Sequence, residues 1–193
     1  VRNHPSLRDN TLILICSDNG PELGAGRAGP FRGYKTQLYE GGIRSSLIAW
    51  GPGLLKKRDT VDTQSVFSAI DLVPTLLDMT KTPRPEGVVY DGESLVDTVR
   101  GLGGSRQAPL MFRRPPDRDA FYGDNDLPDL AMRQGDWKLL CEYDGTEAEL
   151  YNLKTDRAES KNLANSNPET VRSMTRTLLA WHQSMPPDNG ATF

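Results

Sequence analysis

Hydrophobic positions in the first half of this chain cluster into short runs separated by glycine- and proline-rich stretches. Thr11-Leu12-Ile13-Leu14-Ile15-Cys16 is an unbroken apolar run containing β-branched residues, a pattern that predicts a strand covered on both faces. Pro21 to Lys35 carries Gly24, Gly26, Gly29 and Gly33 with Pro30, which predicts a loop of special backbone geometry. Tyr39-Glu40-Gly41-Gly42-Ile43-Arg44 turns the chain toward a second strand, Ser46-Leu47-Ile48-Ala49-Trp50, and Gly51-Pro52-Gly53 stops it. Two strands joined by so long a loop predict the edge of an α/β sheet rather than a tight hairpin. The spacing over 71–79 predicts a helix with Asp71 as N-cap, Pro74 in the first turn, and Leu72, Leu76 and Met79 on one apolar face.

Lys81 to Glu86 is a proline-rich loop, and Gly101-Leu102-Gly103-Gly104-Ser105 reads as a linker. A boundary there divides the chain into an α/β part, 1–105, and a small α+β part, 106–193. In the second part the pattern becomes antiparallel. Residues 129–133, 137–143 and 147–153 are short strand-like runs, with Gly135-Asp136 and Asp144-Gly145 supplying the turns. The last element is a helix: Asn167 is placed to cap it, Pro168 takes its first position, and Val171, Met174, Leu178, Trp181 and Met185 recur at helical spacing. Pro186 and Pro187 end it, and its apolar face is expected to pack on the small sheet.

Composition narrows the function classes. With 193 residues the chain is one medium domain or a portion of a larger one, and its start at Val1 suits a truncated or processed chain. A net charge of -3 gives no basic footprint for nucleic acid. No apolar run approaches the roughly 18 residues that a membrane span needs. The two cysteines, Cys16 in a predicted buried strand and Cys141 in a hairpin strand, make no disulfide framework and read as small buried hydrophobes. The two histidines, His4 and His182, have no carboxylate or second histidine at ligand spacing and read as structural or surface groups. No Gly-x-Ser-x-Gly elbow is present.

The candidate chemistry lies between the first two strands. Ser17-Asp18-Asn19-Gly20 follows the apolar run directly, and the carboxyl ends of strands are where open α/β sheets place ligands. One carboxylate and one amide carbonyl suit Ca²⁺ or Mg²⁺, which take oxygen donors, whereas a histidine at position 19 would point to zinc. The same residues also read as ordinary turn chemistry. Lys35 in Gly33-Tyr34-Lys35 could neutralise charge on an anionic ester, with Arg27 and Arg32 adding positive charge nearby; a solvated surface lysine is the plainer alternative. Glu40 and Arg44 are spaced for an ion pair that braces Gly41-Gly42. Residues 113–129, with Arg113, Arg114, Arg118 and several aspartates, form a loop suited either to a charged glycan or to solvent.

These residues also carry a family resemblance. Leu7-Arg8-Asp9-Asn10-Thr11 leading into Ser17-Asp18-Asn19-Gly20, then Gly33-Tyr34-Lys35, Tyr39-Glu40-Gly41-Gly42-Ile43-Arg44 and Trp50-Gly51-Pro52-Gly53, closely resembles the type I, formylglycine-dependent sulfatases of the alkaline-phosphatase-like superfamily. The match continues through Asp71-Leu72-Val73-Pro74-Thr75-Leu76-Leu77, Asp91-Gly92-Glu93-Ser94-Leu95, Gly135-Asp136-Trp137-Lys138-Leu139 and Glu149-Leu150-Tyr151-Asn152-Leu153. Asp156, Glu159 and Asn162-Leu163-Ala164 complete it. Any one match is modest; the ordered series is specific.

The resemblance implies the C-terminal part of an α/β/α sandwich followed by a small antiparallel sheet with a C-terminal helix. It implies that Asp18 and Asn19 are calcium ligands and that Lys35 contacts the sulfate group as both a catalytic and a substrate-binding residue. The implied reaction is hydrolysis of a sulfate monoester on a small molecule or glycan, with Mg²⁺ as the alternative metal and a periplasmic or secreted location. The nucleophile, a formylglycine made within Cys/Ser-x-Pro-x-Arg, matches neither Cys16 nor Cys141, and Pro5-Ser6-Leu7-Arg8 is only superficially similar to that motif. It is therefore expected in an N-terminal part outside this chain, as are the paired aspartates that complete the calcium site. The 193 residues are expected to be inactive alone. Rival readings are a phosphate or phosphonate ester hydrolase of the same superfamily, which Asn19 in place of histidine disfavours, and a non-catalytic glycan-binding relative.

Overall fold

The structure is a computed structural model, described over residues 1–114 and 127–186. The chain divides into two compact units: residues 1–16 with 46–108, and residues 17–45 with 109 onward.

In the first unit a short helix, α1 (Pro5–Arg8), precedes β1 (Ile13–Cys16), which pairs antiparallel with β2 (Leu47–Trp50) in the register Ile13 to Trp50 and Cys16 to Leu47. The sequence predicts β1 covered on both faces. Instead Ile15 is 58% and Ile48 59% exposed, and Cys16 is exposed too. The cause is simple: among the described residues the sheet has only these two strands, so there is no layer to bury them.

The helix α3 (Leu72–Thr80) forms where the spacing predicts it, but its buried positions are Pro74 and Thr75, while Leu76 is exposed. Asp71 does not cap α3 with its side chain. Its carboxylate is fully buried and accepts the Ser68 and Glu93 N–H groups, both at 2.8 Å, and the Arg106 guanidinium pairs with it. Thr75 Oγ1 accepts the Leu95 N–H at 2.9 Å. These bonds fasten the Asp91–Leu95 segment to α3 and lead into α4 (Val96–Val99), which the hydrophobic spacing did not reveal. The Gly101–Ser105 stretch is pinned: Thr98 Oγ1 donates to the Gly104 carbonyl and Ser105 Oγ accepts the Val66 N–H, each at 2.9 Å.

The second unit holds a four-stranded antiparallel sheet in sequential order: β3 (Leu110–Arg113), β4 (Leu130–Gln134), β5 (Trp137–Cys141) and β6 (Glu149–Asn152). The Gly135-Asp136 turn closes β4 onto β5, with Gln134 opposite Trp137 and Gly135 at φ 57°, which suits glycine. Alternation splits the sheet into two faces. Leu130, Met132, Leu139, Cys141 and Leu150 pack with Met174 and Leu178 of α5 (Pro168–Ser184), as the apolar stripe of that helix predicts. Burial pushes the Cys141 thiol up to about 12, which keeps it protonated and inert. Pro168 takes the first helical position, but Asn167 makes no side-chain cap, and Met185 lies past the helix end and is exposed. His182 stacks on Tyr143 with ring centroids 5.2 Å apart, and His4 is exposed.

The other face carries Ala131, Arg133, Lys138, Leu140, Glu149 and Tyr151. Its apolar members pack with Leu38, Tyr39 and Leu153. This face positions the candidate site, because residues 37–39 belong to the loop that carries it.

Candidate functional site

Asp18, Asn19 and Lys35 all lie on the segment 17–45, which winds about the four-residue helix α2 (Glu40–Ile43). Three main-chain hydrogen bonds knit this segment together. The Gly20 N–H donates to the Gly42 carbonyl at 2.7 Å, the Gly41 N–H to the Arg32 carbonyl at 2.7 Å, and the Lys35 N–H to the Pro21 carbonyl at 2.9 Å. The last bond places the backbone of Lys35 against the residue that follows Asn19-Gly20, so backbone segments 14 positions apart meet.

The glycines are required by that closeness. A Cβ on Gly20 would lie 1.8 Å from the Gly41 carbonyl oxygen, and one on Gly42 would lie 2.1 Å from that of Gln37. Thr36, next to Lys35, sits at φ 87°, a conformation that costs a β-branched residue free energy and persists only where the surroundings impose it.

At the site itself Asp18 is exposed, and Ser17 Oγ donates to it at 3.5 Å, the outer limit of a hydrogen bond. Asn19 is half-buried, and its Nδ2 donates to the Gly20 carbonyl at 2.8 Å. That bond fixes the amide and leaves Oδ1 as the available donor atom. A carboxylate and an amide oxygen, with no nitrogen or sulfur beside them, fit a hard cation. They supply two of the six to eight oxygens that calcium usually takes, and among the described residues no cluster of three histidine, cysteine or acidic side chains adds to them. The Lys35 side chain is exposed and makes no ion pair with a described residue, so its charge is available to an anion.

Arg32 is different from the sequence reading. Its guanidinium donates to Tyr151 Oη at 2.9 Å, pairs with Glu149 at 3.3 Å and lies 3.8 Å from the centre of the Tyr39 ring. Tyr39 and Tyr151 also donate to Glu149, at 3.0 and 2.6 Å. Burial, with the Glu149 carboxylate adding to it, pushes both phenols well above their ordinary range. This cluster is internally satisfied and anchors the loop to β6. Arg27 is exposed. Of residues 113–129, most lie outside the described residues.

The expected Glu40–Arg44 pair forms at 3.2 Å. Spacing did not reveal that Lys138 of β5 and Glu159 complete it. Lys138 Nζ lies 3.2 Å from Glu40 Oε1 and 2.8 Å from Glu159 Oε1, and all three residues are almost wholly buried. The signal was present in Trp137-Lys138-Leu139-Leu140-Cys141, where a charge interrupts an apolar strand and so demands buried partners.

Comparison with known proteins defines the class. Residues 4–82 match the sulfatase family. A sulfatase of Formosa agariphila is 31% identical over 91% of this chain and 33% of its own length. An N-acetylgalactosamine-6-O-sulfatase of Bacteroides thetaiotaomicron is 28% identical over 89% of this chain and 36% of its own length. Among solved structures, one from work on glycosaminoglycan metabolism by Bacteroides thetaiotaomicron superposes with a TM-score of 0.75 at 25% identity, covering 94% of this chain and 41% of that one. Ps i-CgsB in complex with k-i-k-neocarrahexaose superposes with a TM-score of 0.74 at 26% identity, covering 93% of this chain and 38% of that one. The chain is thus similar to sulfatases along nearly its whole length, with the sulfatase family match confined to residues 4–82, and it has an α/β fold like theirs. It spans about a third of the length of the curated relatives it matches.

Proposed function

We propose that this chain is the C-terminal portion of a sulfatase that hydrolyses a sulfate monoester, and that it supplies one wall of the active site. The observation that supports this reading is the knitted loop, in which a main-chain bond from Lys35 to Pro21 ties the backbone that carries the exposed Lys35 to the backbone just after Asp18 and Asn19. Asp18 and Asn19 would hold calcium, which when bound withdraws electron density from sulfate oxygens. Lys35 binds the sulfate group and offsets the negative charge that grows on its oxygens as the ester bond breaks. The nucleophile, a formylglycine on the resemblance, belongs to a part of the protein outside these residues.

A sulfated carbohydrate is the favoured substrate class. That rests on the relatives: one is an N-acetylgalactosamine-6-O-sulfatase, and one structural neighbour was solved with k-i-k-neocarrahexaose. The test is to compare turnover of matched aryl sulfate and aryl phosphate esters by the complete protein, with and without calcium. Calcium-dependent preference for the sulfate is the expected result. Preference for the phosphate would support an esterase of the other kind, and no turnover of either would support a non-catalytic relative.

A further inference from the structure

We propose that Glu40, Lys138 and Glu159 form a positioning clamp that sets the active-site loop against the C-terminal sheet. The sulfatase reading gives the clamp its purpose, since it treats Asn19 and Lys35 as working groups. The geometry is specific. Glu40 Oε1 faces Lys138 at 3.2 Å, and its Oε2 faces Arg44 at 3.2 Å and Arg133 at 3.6 Å. Glu159 Oε1 faces Lys138 at 2.8 Å, while its Oε2 accepts the main-chain N–H of Glu40 at 2.7 Å. One carboxylate thus holds both the lysine and the first residue of α2.

Burying such a cluster is a poor way to gain stability. Apolar residues of similar volume often serve as well or better, because desolvating charges offsets their attraction. A charged cluster instead provides direction, since few arrangements satisfy every member at once. Glu159 adds a local cost: it adopts φ 52°, the left-handed region that non-glycine residues seldom occupy, in order to deliver its side chain.

The object held in place is α2. A helix of four residues has no independent stability, so its surroundings set its orientation. Gly41 and Gly42 then pass that orientation on through their bonds to Arg32, three residues before Lys35, and to Gly20, next to Asn19. Displacement of reacting groups by about 1 Å can cost on the order of a hundredfold in rate. The clamp residues touch no substrate; they act through Asn19 and Lys35.

The test compares Glu159→Ala and Glu159→Gln in the complete protein. Hydrogen exchange is read at the Gly20, Lys35 and Gly41 amides, and kcat and KM are read on an aryl sulfate. In Glu159→Ala those amides are expected to exchange about tenfold faster or more while the β4 and β5 amides keep wild-type rates. The kcat per folded molecule should fall by about ten- to a hundredfold, with KM within about threefold. Glu159→Gln retains an acceptor for the Glu40 N–H and should lie between alanine and wild type; it decides the matter if the alanine variant does not fold. Wild-type exchange at those amides, or wild-type kcat with only a lower Tm, overturns the clamp. A wild-type protein inactive on every sulfate ester would count against the proposed function alone, because the exchange rates would still decide the clamp.

Discussion

Glu40 and Lys138, 98 positions apart in sequence, meet at 3.2 Å with the lysine side chain wholly excluded from water. This contact joins the Tyr39-Glu40-Gly41-Gly42-Ile43-Arg44 segment to β5, and Glu159 closes the cluster from a third part of the chain. Motifs that look independent in sequence therefore converge on one buried group of charges.

The contact has a pH signature. Burial acts to raise the Glu40 pKa, but the charges of Lys138, Arg133 and Arg44 outweigh it and hold the carboxyl below its ordinary range. A carboxylate with a lowered folded pKa contributes stability that is present above its unfolded value, about 4.3, and lost as pH falls through the folded value. Denaturant unfolding of the complete protein between about pH 6 and pH 3 should show that loss. In Glu40→Gln the acid-sensitive part should shrink; an unchanged slope would count against this role.

Gly41 tests the loop's close packing. A Cβ there would lie 2.3 Å from the Gly33 carbonyl oxygen and 2.4 Å from that of Arg32, both main-chain atoms that cannot swing aside. Gly41→Ala should cost about 1–3 kcal/mol by overpacking, seen as a lower Tm in thermal unfolding. An unaltered Tm would mean that the loop is not packed this tightly.

In the first unit the buried Asp71–Arg106 pair ties the start of α3 to the Asp91–Leu95 segment. Arg106→Met leaves the Asp71 carboxylate buried without its counter-charge, which should destabilise folding by about 3–5 kcal/mol. Equilibrium unfolding would measure this, and a loss below about 1 kcal/mol would show that the pair is dispensable.

Removing a proposed metal donor should be visible without any turnover. Asp18→Ala deletes the carboxylate, and calcium affinity measured by titration calorimetry on the complete protein should drop by roughly tenfold or more, the low end of what even outer-shell partners cost. Wild-type affinity in that variant would remove Asp18 from the site.

Much of this architecture was legible in the sequence because local rules governed it. The Gly135-Asp136 turn, the alternation in β4 to β6 and the stripe from Val171 to Leu178 all follow from chain-local pattern. The Glu40–Arg44 pair was legible for the same reason, since four positions apart means one helical turn. What was not legible depends on distant partners. Leu76 looks apolar enough to be buried, yet Thr75 is, because its hydroxyl serves Leu95. Arg32 looks like an available charge beside Lys35, but Glu149 and the Tyr151 hydroxyl engage it. At the candidate site the residue types and the loop were readable. The bond from Lys35 to Pro21 was not, because nothing in the intervening sequence specifies how the loop closes.

The most direct measurement is steady-state turnover of an aryl sulfate by the complete protein, comparing wild type with Lys35→Ala at saturating calcium. Loss of a charge-stabilising group should cost on the order of 2–4 kcal/mol of transition-state stabilisation, so kcat/KM should fall by about two to three orders of magnitude while calcium affinity stays near wild type. Unchanged kcat/KM in Lys35→Ala would contradict the assignment of Lys35 as the group that binds and stabilises the sulfate.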